Sequence, residues 1–160
     1  MLTLSLNGSS TAIVWDSAKG TFTSSNEDGA KVVHVTGSNN GAGTYNTDYW
    51  TVTDRSGTVY YFGRNQLPGW SSGKAVTNSV DSMPVYSAHS GDPCYKASGF
   101  DASVCTMAYK WHLDYVKDVR GNAMSYWYAQ DSNFYGQNNG ASNTKYVRDS
   151  YLSRIDYGFQ

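Results

Sequence analysis

The chain has 160 residues, 12 of them basic and 13 acidic, for a net charge of −1. That length suits one domain or a segment of a larger repetitive architecture and is too short for two ordinary enzyme domains. A near-neutral chain with scattered cations has no electrostatic footprint for nucleic acid. With no apolar run of about 18 residues, it also has no membrane-spanning helix.

Leu, Ile, Val and Phe together number only 26, whereas Tyr alone numbers 14 and Trp 5. Low charge argues against disorder despite the scarce aliphatics. Ser, Thr, Asn and Gly supply 62 residues. Rings and β-branched residues set among small polar ones predict strands and turns, so the fold class is all-β, built of antiparallel hairpins with little or no helix.

Leu2-Thr3-Leu4-Ser5-Leu6, then Asn7-Gly8, then Ser9 to Trp15 predicts a hairpin whose turn takes positive φ at both central residues. A two-residue loop places Leu4 opposite Thr11 and Leu2 opposite Ile13. Residues 31–36 form a further short strand, and 38–43 a polar loop. The N-terminal alternation is not a secretory signal, which needs a basic segment and a continuous apolar stretch. The chain is therefore cytosolic or an interior piece of a longer exported protein.

The clearest hairpins follow. Tyr49 to Thr53 runs into Asp54-Arg55-Ser56-Gly57 and then Thr58 to Phe62. Sixty-four residues on, Trp111 to Lys117 runs into Asp118-Val119-Arg120-Gly121-Asn122 and then Ala123 to Tyr128. Each turn has an Asp to accept backbone N–H bonds and a Gly to take positive φ. The pair forms a weak internal repeat. It divides the chain into N-terminal hairpins (1–63), a loop-rich insertion (64–108) and a second hairpin with a strand (109–160). Residues 130–145 read as a polar loop and Tyr146 to Tyr157 as a strand. On it Tyr151, Ser153, Ile155 and Tyr157 share one face; Leu152, Arg154 and Asp156 share the other.

Cys94 and Cys105 lie in a tight polar loop. A disulfide closing that ring would stabilise by roughly 2.5–3 kcal/mol and favour an oxidising compartment. Two buried free thiols are the competing reading, and half of a metal site lacks the paired spacing. His34, His89 and His112 have no Ser, Cys or carboxylate at a recognised catalytic spacing. Asp114 and Asp118 would lie about 13 Å apart on one strand face, too far for a glycosidase pair. No phosphate loop opens a helix. No cofactor is implied, and no catalytic or metal-ligating set is visible. The aromatic excess has two readings, a ring-rich core or an exposed glycan-stacking surface using Trp50, Trp70, Trp127 and Tyr135.

The stretch from Trp111 to Tyr128, with Asp118, Gly121 and Asn122, followed by Tyr151-Leu152-Ser153-Arg154-Ile155-Asp156-Tyr157-Gly158, resembles the Rhs/YD-repeat superfamily. The likeness is to large secreted actinobacterial members that carry polymorphic toxins. Upstream, Tyr49 to Asn65 with Asp54 and Gly57, then Leu67-Pro68-Gly69 and Met83-Pro84-Val85, fit in order. The usual unit continues from Tyr-x-Tyr into Asp-x-x-Gly-Arg-Leu, whereas here Ala129-Gln130-Asp131 follows, as in a region leading into the repeat array. The resemblance implies a non-enzymatic part of a secreted or cell-surface β-sheet shell. Its partners would be adjacent YD-repeat segments of the same parent chain and an enclosed toxin or effector. The alternative is a carbohydrate-binding β module, with a cell-surface glycan as partner.

Overall fold

The computed structural model describes residues 2–6, 8–24, 30–43, 46–137 and 142–159. The strands are β1 (Leu2–Leu6), β2 (Ser9–Asp16), β3 (Thr21–Ser24), β4 (Lys31–Val35), β5 (Tyr49–Thr53), β6 (Val59–Phe62), β7 (Val80–Tyr86), β8 (Val104–Trp111), β9 (Leu113–Lys117), β10 (Asn122–Gln137) and β11 (Ser142–Phe159). Among the described residues the only helical segment is one 3-10 turn, Phe100–Ala102. The all-β class is as the ring-rich, β-branched composition requires.

The strands form three antiparallel sheets: β1-β2-β3, the six-stranded order β11-β10-β9-β6-β5-β4, and β7-β8. In the first hairpin Leu2 pairs with Ile13 and Leu4 with Thr11, the register expected from a two-residue turn. Gly8 holds positive φ there, and Asn7 lies outside the described residues. Along β5 exposure alternates with period two, so Trp50 and Val52 point inward. They join Ile13, Val32 and Phe62 in the main core, with Leu2, Leu4, Phe22, Trp111 and Leu113 packed around it.

Three sequence expectations are corrected. Residues 130–145 are not a long loop: β10 continues to Gln137 and β11 begins at Ser142. Only 138–141 of that stretch lie outside the described residues. Cross-strand pairing with β11 outweighs the polarity of the segment, since a hairpin can satisfy its backbone with few apolar side chains. Trp111 to Lys117 is not one strand either. Trp111 ends β8, where it pairs with Val80, and β9 restarts at Leu113. β7 and β8 form a sheet of their own that starts inside the 64–108 stretch and runs past it to Trp111.

Four register shifts each leave one residue out of its ladder. Tyr109 is skipped between β7 and β8, Asp114 between β6 and β9, and Arg148 and Ser153 between β10 and β11. An unpaired residue in a ladder is re-aimed out of the two-residue alternation. The strict face assignment expected along β11 therefore breaks at Ser153. Tyr109 Oη donates to the Arg148 carbonyl at 2.6 Å, which joins two bulges and docks β8 on β11. Ser153 Oγ donates back to the Trp127 carbonyl at 3.0 Å.

Candidate functional site

The two Asp-x-x-Gly turns are built alike. Asp54 Oδ1 accepts the N–H groups of Ser56 (2.9 Å) and Thr58 (3.1 Å), and Asp118 Oδ1 accepts those of Arg120 and Asn122 (both 2.9 Å). Gly57 and Gly121 close the turns at φ of 90° and 85°. The Ser56 hydroxyl leads the bonds that hold the Asp54 carboxyl below the usual carboxylate range, against desolvation. Desolvation also opposes the lowering at Asp118, where bonds from Asn122 and the Arg120 N–H prevail. Because Val59 pairs with Lys117, both turns sit at one end of the sheet. A Cβ on Gly57 would lie 2.6 Å from Val119 of the other turn.

Two buried aspartates make the polar heart of the molecule. Asp114, re-aimed by its bulge and 0% exposed, accepts three bonds at 2.8 Å on Oδ2, from the Asn65 N–H, Thr77 Oγ1 and Ser79 Oγ. Its Oδ1 is buried without a partner among the described residues. Burial dominates over these bonds and pushes the carboxyl up to about 6. Tyr128 lies close by and donates to the Leu113 carbonyl at 2.6 Å. Burial first, then the charge of Asp114, raises its phenol.

Asp81, also 0% exposed, bridges two groups: Ser150 Oγ donates to its Oδ1, and His112 Nε2 lies 2.9 Å from its Oδ2. A nucleophilic triad places the imidazole between hydroxyl and carboxylate so that it can take the hydroxyl proton. Here the carboxylate is in the middle, and the bonds run from β7 to β11 and to the β8–β9 junction. The trio ties sheets together. His34 and His89 likewise meet Asp48 (3.0 Å) and Asp92 (3.7 Å). Among the described residues, no group of three or more His, Cys, Asp or Glu side chains is placed to hold a metal ion.

A cavity of about 450 Å³ opens between β1 and the β8–β9 junction. Leu2, Leu4, Ile13, Val32, Val52 and Phe62 give it an apolar wall, Trp50 and Trp111 line it, and Lys110 is at its exposed rim. The indole Nε1 atoms of Trp50 and Trp111 are buried with no acceptor among the described residues. An unmade bond of that kind costs about 1–3 kcal/mol each.

The rings singled out for glycan stacking lie in four different settings. Trp50 is 8% exposed, stacked on His34 at 4.3 Å between ring centres, so it is a core residue and not an open platform. Trp70 is half-buried in the 67–74 turn and donates to the Lys74 carbonyl. Trp127, on β10, carries the Arg154 guanidinium 4.4 Å above its ring. Tyr135 packs near Tyr146 at 6.0 Å. Tyr157 and Gly158 line a shallow cavity of about 220 Å³ with Leu67, Pro68 and Met124. Cys94 and Cys105 form a disulfide with Cα atoms 5.6 Å apart. No helix among the described residues is long and apolar enough to cross a membrane. No protein-family model, curated protein or solved structure matches the chain.

The residues missed by sequence reasoning are Asp81, Ser150 and the cavity wall. One signal was available for the aspartates: a carboxylate flanked by apolar or small residues inside a strand, as at Leu113-Asp114-Tyr115 and Val80-Asp81-Ser82, demands buried partners.

Proposed function

We propose that this chain is a non-catalytic structural module of a secreted Rhs/YD-repeat shell that encloses a C-terminal toxin or effector, to which it contributes a panel of antiparallel strands. The observation that carries this reading is the outer edge of β11. It is an 18-residue strand at the end of the six-stranded order, and among the described residues no strand pairs with its far side. Tyr151 (65% exposed), Leu152, Ile155 and Tyr157 (76%) stand out from it. A long apolar edge is a template for another strand. Adjacent YD-repeat segments of the same parent chain would supply that strand. The buried Asp–His–Ser group serves as a tie between sheets, and the Asp–Thr–Ser group ties β9 to the connection that leads into β7. The disulfide supports an exported parent, since such bonds persist in oxidising compartments.

Amide exchange tests the pairing. In the chain alone, the amides of 151–159 that point away from β10 should exchange quickly. Joined to the adjacent parent segment, they should slow at least tenfold. Unchanged rates would mean that β11 takes no further strand at this edge. The carbohydrate-binding alternative gains no specific observation, because Trp50 is buried and Arg154 covers Trp127. Saturable binding on a glycan array, abolished by Trp127→Ala, would reverse that preference. Protein recovered from the exterior should be two mass units lighter before reduction than after.

A further inference from the structure

We propose that the outer edge of β1 is a docking site for one extended peptide strand, with apolar residues at every second position, supplied from outside this chain. The site does not involve the β11 edge.

β1 ends the three-stranded order, and among the described residues no strand pairs with its far side. Its register says which groups face outward. Leu6 pairs with Ser9 across a two-residue loop, and the pair flanking such a loop exchanges both backbone bonds. Bonding then alternates: Leu2, Leu4 and Leu6 bond β2, while the N–H and C=O groups of Thr3 and Ser5 point away from it. The Ser5 and Ser10 hydroxyls lie 3.0 Å apart, which fits this phase, because side chains approach more closely in pairs that exchange no bonds. Among the described residues no backbone bond from another element reaches Thr3 or Ser5.

Thr3 and Ser5 border the cavity of about 450 Å³, and Tyr109 to Leu113 stand across it. That far wall is fixed, since Tyr109 Oη bonds the Arg148 carbonyl and His112 Nε2 faces Asp81. Neighbouring strands lie about 4.8 Å apart, so a strand added to β1 runs over this space, which takes its inward side chains and has no room for a second sheet. Such a strand also continues an interface already present. Val52, Tyr60, Val116 and Met124 stand opposite one another across β5, β6, β9 and β10 and so share one face. Val52 is buried under β1–β3, whereas Tyr60, Val116 and Met124 are half-buried. The upper layer stops short of the sheet beneath it, and a fourth strand extends it. A row of backbone donors and acceptors selects extended polypeptide, and the apolar floor selects aliphatic side chains at the inward positions. Every strand pair among the described residues is antiparallel. In that direction the inward residues stand opposite Leu2, Leu4 and Leu6, and the polar residues between them exchange bonds with Thr3 and Ser5.

The test titrates the capped peptide Lys-Val-Thr-Val-Thr-Val-Lys into the full chain, followed by calorimetry and by the fluorescence of Trp50 and Trp111, which line the cavity. The peptide should bind saturably at one site. N-methylation of both threonines removes the donors to β1 and should weaken binding at least about tenfold, whereas N-methylation of the central valine, whose N–H faces away from β1, should leave it nearly unchanged. Thr3→Pro deletes an N–H that bonds nothing within the hairpin and should weaken binding by a similar factor, with the native far-UV circular dichroism retained. Absence of saturable binding to the native chain overturns the site. Equal binding of the two methylated peptides overturns pairing at the edge, as does native affinity in a folded Thr3→Pro chain. Loss confined to the valine-methylated peptide overturns the antiparallel direction. A dimer seen by sedimentation and lost in Thr3→Pro gives the edge to a second copy and overturns the proposal as well.

Discussion

At the β4–β5 end of the six-stranded sheet, Val32, Trp50 and Val52 are buried under β1–β3, whereas at the β11 end Tyr151, Leu152, Ile155 and Tyr157 stand in solvent. Both ends carry aromatic rings and branched aliphatic side chains, and the two Asp-x-x-Gly turns lie between them, joining β5 to β6 and β9 to β10. The difference is a second layer. Ile13 and the leucines of β1 cover one end, while β7–β8 reaches only the part of β11 near Val147 to Ser150. A strand's own sequence sets its pleat; burial requires a partner sheet.

The largest effect should come from cutting the covered end. Phe62→Ala removes a buried ring of the main core and should cost about 3–5 kcal/mol in denaturant unfolding. The corresponding change at the open end, Ile155→Ala, should cost less than about 1 kcal/mol, in keeping with its partial exposure. Comparable losses would mean that β11 is covered in solution.

The polar heart between the two ends should show itself in pH dependence. The folded state holds the Asp114 proton more tightly than the unfolded chain, with a carboxyl raised to about 6 from 3.8. The penalty for ionising it is absent below the unfolded value and complete above about pH 6. From this group, stability therefore falls as pH rises through that window, by roughly 3 kcal/mol. Asp114→Asn cannot titrate, so the difference in unfolding free energy between native chain and variant should change by that amount between pH 3.5 and 7. Parallel curves would show that Asp114 is wetter than its burial indicates. Asp54 and Asp118 act in the opposite sense: their lowered carboxyls stabilise at neutral pH, and that contribution is lost in acid.

A smaller effect tests the contact between the two turns. Gly57→Ala combines a positive φ with a Cβ pressed on Val119 and should cost about 1–2 kcal/mol. Gly8→Ala has a similar φ of +80° and open space, so it should cost less. Val119→Ala should recover part of the Gly57→Ala loss and none of the Gly8→Ala loss. Failure of that selective rescue would mean that the turns do not touch.

The register of β1 on β2 and the construction of both Asp-x-x-Gly turns were legible because they depend on residues a few positions apart. A two-residue hairpin loop fixes its own pairing, and an aspartate bonds N–H groups two and four residues on. The disulfide reading also came from proximity in sequence. Trp50 could not be placed: an aromatic excess favours a ring-rich core in general, but only the sheet above a given indole decides whether that one is core or platform. The extent of β10 and β11 was hidden for a related reason, since their polar stretch from Gln130 to Lys145 has no apolar alternation to announce a strand.

By itself, then, the sequence determined the all-β class, the turn chemistry and the local register, because each follows from short-range sterics and hydrogen bonding. Only the tertiary structure decided which rings are core and which face solvent. It also decided that two residues skipped by the ladders, Tyr109 and Arg148, would join one sheet to another, and that a third, Asp114, would bind the 65–79 connection to β9. Those outcomes depend on backbone groups and side chains brought together from tens of residues apart, and no local pattern encodes such a meeting.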